Sequence, residues 1–189
     1  MSDEEQSIGV KIPPRVYTEI EKKVVDLYVE QEIHKVPINP FEIVKKKGYI
    51  LMPFSKFDYD NRPEVVNDDN DAFSFYVPQS KTYIIVYNDA KPLNRIRFTL
   101  MHEIGHIDLG HKGESDLARK MADFYAGYAL APSPLIGRYA NFEENFDIVS
   151  TFWVSPECAE ICKNRYQNWL QYGGRELKDY EIELINLFE

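Results

Sequence analysis

The chain has 189 residues, of which 44% are hydrophobic and 14% aromatic, and its net charge is −9. That is enough length and apolar content for one domain, with or without a small appendage, and it excludes a largely disordered chain. The acidic balance argues against direct binding of nucleic acid, whose affinity comes mostly from neutralised phosphates, and suits a basic protein partner.

No apolar run approaches 18 residues, so no membrane span is expected. The opening MSDEEQS lacks the basic-then-apolar order of a secretory signal, which predicts a cytoplasmic protein. Residues 1–12 read as a flexible tail. From Pro14 the spacing of Val16, Ile20, Val24 and Leu27 predicts a helix running to about His34. A second helix follows, with Asn39 as N-cap, Pro40 at its first position and Gly48 as its stop. The segment 49-YILMPF-54 predicts a short strand. The run 58-DYDNRPEVVNDDND-71 has six acids, one base and no periodicity, and reads as an exposed loop. Two aromatic and β-branched runs, 72-AFSFYV-77 and 82-TYIIVYN-88, predict a hairpin.

Helical spacing returns over 92–110 and again over about 115–130, stopping before 132-PSP-134. Two more helices are expected at 155–173 and 177–188. The order predicts an α+β fold with a small three-stranded antiparallel or mixed sheet and a helical C-terminal part. Cys158 and Cys162 lie four apart on one expected helix and read as free thiols rather than as a metal or redox pair.

Three of the four histidines fall within 99-TLMHEIGHIDLGH-111. On a helix, His102 and His106 are one turn apart on one face and can hold one ion together. Glu103 lies beside that face, where it can take a proton from water. This is the H-E-x-x-H arrangement of zinc-dependent peptidases, with zinc as the expected cofactor. Phe98, Leu100, Ile104 and Ile107 supply the apolar side that a buried helix needs. Gly105 lets another segment approach closely.

A third ligand is required. Asp108 lies about 140° around the helix from the histidine pair and faces away. His111 is nine residues after His102, where the metzincin pattern needs ten, and reads as a helix-end histidine. Glu114 sits in a polar turn. Asp123 is the one charged residue in the apolar run 121-MADFYAGYALAP-132, where a lone carboxylate needs compensation. It is the expected third metal ligand. Tyr125 and Tyr128 read first as core residues and second as groups able to stabilise an oxyanion.

The combination of 97-RFTLMHEIGHIDLGH-111 with 122-ADFYAGYALAP-132 resembles the ImmA/IrrE metallo-endopeptidases. That family pairs an F-T-L-x-H-E-[IL]-G-H helix with an E-A-N/D-x-F-A-x-x-L-L-x-P helix. The later 152-FWVSPECAEICKNRY-166 looks like the family's V-S-x-E-A-A-x-x-R segment, and the resemblance spans about residues 15–170. It implies a zincin-like domain over 13–135, with 136–189 as a helical extension packed on it. It implies His102 and His106 as ligands of one zinc ion and Glu103 as catalytic base. Where the family carries a glutamate just before the alanine, this chain has Met121, and a thioether is a poor zinc ligand.

The expected function is therefore a zinc-dependent endopeptidase. The resemblance implies a basic helix-turn-helix repressor of a phage or mobile element as its target, with no direct contact to nucleic acid or membrane. The acidic stretch from Asp58 to Asp71 reads as a solvated loop or as a docking face for such a partner. Met121 keeps a second reading open, a non-catalytic anti-repressor or sensor that binds the repressor without cutting it. A DNA-binding role for the helix after Ser155 is disfavoured, because Glu157 and Glu160 offset Lys163 and Arg165.

Overall fold

The structure is a computed structural model. It describes residues 10–58, 63–64, 66–67, 69–113, 115–142, 144–172 and 176–188. Most of the N-terminal tail, part of the acidic loop, Glu114 and Gly173 lie outside the described residues.

Helix α1, Pro14–Glu30, starts on a proline and buries Ile20, Val24, Val25, Leu27 and Tyr28. It stops four residues before the expected His34. Glu32 takes a left-handed conformation at φ 49°, and the Ile33 N–H turns back to the Tyr28 carbonyl at 2.9 Å. That closing turn ends the helix without the usual glycine. Helix α2, Pro40–Lys46, is capped by the Asn39 side chain, which accepts from the Phe41 N–H at 3.1 Å. Gly48 follows at φ 70° and closes it.

Strands β1 (Ile50–Pro53), β2 (Ala72–Val77) and β3 (Thr82–Tyr87) form one mixed sheet in the order β1-β3-β2. β1 runs parallel to β3, with Ile50 opposite Ile84. β2 runs antiparallel to it, with Ser74 opposite Ile85. The central strand buries Ile85 on one face and Val86 on the other. Ile85 joins the main core. Val86 joins a smaller cluster with Phe54 and Val66.

Helix α3, Leu93–Asp108, carries the whole H-E-x-x-H segment. Helix α4, Asp116–Leu130, is capped by Ser115, whose Oγ accepts from the Ala118 N–H at 3.1 Å. The two pack tightly. A Cβ at Gly105 would lie 3.0 Å from the Tyr125 ring, tighter than ordinary contact, so glycine lets the two helices approach this closely without displacing that ring. Tyr28, fully buried, donates its hydroxyl to the Ala129 carbonyl and ties α1 to α4.

Two further helices follow where no helix was expected: α5 (Ser133–Phe142) and α6 (Ile148–Phe152). The Pro-Ser-Pro stretch ends α4, yet Pro134 occupies the first turn of α5, where a missing N–H costs nothing. Residue 135, the expected domain boundary, therefore lies inside a helix. α6 is only 5 residues long, too short for a periodicity signal. Asp147 caps it, accepting from the Ser150 N–H at 2.8 Å.

Helices α7 (Pro156–Tyr172) and α8 (Asp179–Leu187) complete the chain. Trp169 donates to Glu181 at 2.7 Å, and Tyr180 donates to Glu21 at 2.6 Å, joining α7 to α8 and α8 to α1. One buried cluster runs from Ile20 to Phe188. The fold is thus mixed α+β with a small three-stranded sheet and several helices. None of the described helices is long and apolar enough to cross a membrane.

Candidate active site

A cleft of about 1400 Å³ runs along one side of the α3–α4 pair, lined among others by His102, Glu103, Asp123, Phe124 and Arg165. Helix periodicity places His102 and His106 one turn apart, and their Nε2 atoms face each other at 3.0 Å. Glu103, between them in sequence, is only 7% exposed. Its Oε2 accepts a 2.6 Å hydrogen bond from the Ser74 hydroxyl on β2. Ser74 had no signal in the sequence, because a single serine on a strand does not reveal which helix it faces.

Asp123 reaches the same cluster from α4. Its Oδ1 lies 2.8 Å from Nδ1 of His102, on the side of the ring away from His106. A carboxylate in that position fixes the ring and its tautomer, leaving Nε2 with a bare lone pair. Asp123 is thus brought to the histidines, but onto the nitrogen opposite the one they share. His111 also joins. Its Nδ1 lies 3.0 Å from Nδ1 of His106. Burial, then the neighbouring His102, pushes the His111 imidazole below its ordinary pKa.

The two tyrosines do not line the cleft. Tyr125 is fully buried and donates to Asp108 Oδ2 at 2.7 Å. Burial, with Asp108 beside it, holds its hydroxyl well above the ordinary tyrosine pKa. Asp108, set aside for facing away, is engaged on its other oxygen by Lys47 at 3.0 Å. Tyr128 is buried, its hydroxyl without a hydrogen-bond partner among the described residues, and its pKa is raised well above the ordinary value, first by burial and then by Glu21. Cys158 and Cys162 remain free thiols, with sulfurs 4.0 Å apart.

Arg97 performs a purely structural task. Buried at 5% exposure, it donates to the carbonyls of Ile38 at 2.8 Å and Phe152 at 3.1 Å. It thereby anchors α3 to the segment before α2 and to the end of α6.

The donor set can be tested against a zinc ion. Two imidazole nitrogens at ordinary Zn–N distances in a tetrahedron stand about 3.3 Å apart, close to the 3.0 Å between these two. The orienting carboxylate also fits a zinc histidine. Among the described residues, however, no three His, Cys, Asp or Glu groups converge on one point. The arrangement fits two imidazole ligands, not a closed set of three.

Residues 50–131 match the family model of the IrrE N-terminal-like domain (Peptidase_M78). The chain carries an IrrE-like peptidase-family domain. The match runs from β1 to the residue after α4, so the IrrE-like domain includes the sheet, the histidine helix and Asp123. The remaining helices lie outside it. No curated protein shows significant similarity to the chain.

Proposed function

We propose that the protein is a zinc-dependent, zincin-like endopeptidase of the cytoplasm that acts on a basic helix-turn-helix repressor. The observation that carries this reading is the pair of Nε2 atoms 3.0 Å apart, with buried Glu103 beside them in a cleft of an IrrE-like domain. His102 and His106 would hold the ion. When bound, zinc supplies a Lewis acid for the peptide carbonyl and makes water a better nucleophile at neutral pH. Glu103 takes the proton of the attacking water and returns it to the leaving amine. Ser74 holds the Glu103 carboxylate in place by donating to its Oε2. Asp123 orients His102 as an outer partner, a different role from the ligand role expected from sequence. The exposed acidic residues before β2, among them Asp69 at the cleft, would favour a basic partner.

A second reading is supported by Met121 standing where the family carries a glutamate, together with the two-nitrogen donor set. In that reading the protein captures the repressor without cutting it. One experiment separates them: zinc content of the purified protein, and repressor cleavage by wild type and Glu103→Gln. Stoichiometric zinc and cleavage lost in the variant support the peptidase. No zinc, with repressor inactivation intact in Glu103→Gln, sinks it.

A further inference from the structure

We propose that Arg165 forms a carboxylate subsite of the cleft, selecting a polypeptide that presents an acidic group within about two residues of the bond held at the histidines. The proposal rests on the peptidase reading of the cleft and names what that cleft selects.

Arg165 stands on α7 and reaches across to α4. Its guanidinium lies over the Phe124 ring, 4.4 Å from the ring centre. A Cβ at Gly127 would already touch its Nη2 at 3.4 Å and its Nη1 at 3.6 Å. The bare backbone of Gly127 is the seat of the guanidinium and the Phe124 ring its shelf. Phe124 is held in turn by Tyr17, edge-on with ring centres 4.6 Å apart. A planar cation fixed on two sides has little freedom left to lose when it meets a carboxylate.

This cation is not matched among the described residues. Its Nη1 is buried without a hydrogen-bond partner. Glu21 lies in its field, but the Glu21 carboxylate accepts from the Tyr180 hydroxyl at 2.6 Å. Asp123, one turn back along α4 from Gly127, is taken by His102 at 2.8 Å. Two other cations at the cleft are also engaged: Arg95 Nε donates to Asp71 at 3.0 Å, and Lys120 to the Val10 carbonyl at 2.7 Å. Arg165 is partly buried and lines the cleft. A carboxylate entering there meets the open edge of the fork and offsets a charge that burial leaves uncompensated.

The position suits a substrate contact. Asp123 and Gly127 are four residues apart, about 6 Å along α4. An extended peptide advances about 3.3 Å per residue. A chain with its carbonyl at the histidine pair therefore brings a group one or two residues away to Arg165. Asp69, Glu103, Asp123 and Glu157 line the same cleft. Those acids draw a basic partner and repel a multiply charged phosphate more strongly than a singly charged carboxylate. The acids choose the partner, and Arg165 chooses the position along it.

The test uses the full chain, and its first arm needs no cleavage. The probes are N-acetylglutamate N-methylamide, with a side-chain carboxylate, N-acetylalanine, with a terminal one, and N-acetylglutamine N-methylamide, with neither. Inorganic phosphate is added as a further probe. In ¹⁵N-arginine NMR, the Arg165 signal is assigned by its loss in Arg165→Lys. One or both carboxylate probes are expected to shift it, and the glutamine probe to leave it in place. Which carboxylate acts tells a side chain from a chain end. No shift with either carboxylate, an equal shift with the glutamine probe, or a shift with phosphate alone overturns the subsite. The second arm gives zinc-loaded protein peptides paired as Glu against Gln, and as free against amidated ends. The preference for the carboxylate member is expected to fall on the order of 10–100-fold in Arg165→Gln and to return in part in Arg165→Lys. A side chain that only props α7 on α4 would change both members of a pair alike. Cleavage without preference in either pairing overturns the subsite and spares the peptidase. Carboxylate binding at Arg165 in a protein that cleaves no peptide does the reverse.

Discussion

The seam between α3 and α4 has two polar ends built from the same residue types and used in opposite ways. At the back, Asp108 is satisfied on both oxygens, by Tyr125 and by Lys47, and both charged side chains are mostly buried. The set is closed. At the cleft, Asp123 is 51% exposed and engages a single histidine nitrogen, and the Nε2 of that ring meets the Nε2 of His106 at 3.0 Å. That set is open. The contrast teaches that a buried polar group with every valence matched fixes structure, whereas a partly exposed cluster of titratable groups at a cleft is where chemistry is to be sought.

The sharpest way to break this contrast is at Glu103. Glu103→Gln is expected to lower hydrolysis of a repressor substrate by about 10²–10⁴-fold, with an unchanged melting temperature. A variant as active as wild type would remove chemistry from the cleft end. Next comes the back end. Tyr125→Ala should cost about 3–5 kcal/mol in urea unfolding, and Tyr125→Phe about 1 kcal/mol. Zinc affinity should stay constant in the phenylalanine variant, and a fall there would show that the two ends are not separate.

Asp123→Ala should do the reverse. Zinc affinity drops on the order of 10–100-fold, while unfolding free energy changes by less than about 0.5 kcal/mol, as for an exposed side chain. Ser74→Ala is the smallest change. Losing one donor to Glu103 is worth about 1 kcal/mol, read as a several-fold fall in kcat with KM preserved.

Much of the site could be read in the sequence because it is local. Four-residue spacing on one helix puts His102, Glu103 and His106 together whatever the rest of the chain does. Asp123 was identifiable as the lone carboxylate of an apolar helix, but which ring nitrogen it meets depends on how α4 rests on α3. Ser74 is 29 residues from Glu103, and His111 returns to the site only through the turn at Gly110. Spacing along the chain cannot convey either contact. In the fold, proline and glycine marked the starts and stops of α2 and α3 clearly. α5 was hidden by the same kind of signal, since a proline that ends one helix can also open the next.

Gly105 lies on α3 between His102 at one end of the seam and Asp108 at the other, directly against the Tyr125 ring. A single methyl there acts as a wedge under α4. Lifting α4 would draw Tyr125 off Asp108 and Asp123 off His102 in one movement. The two ends, distinct in their chemistry, therefore share one mechanical tolerance set by one missing carbon. In Gly105→Ala, loss of melting temperature and loss of zinc affinity should arrive as a pair.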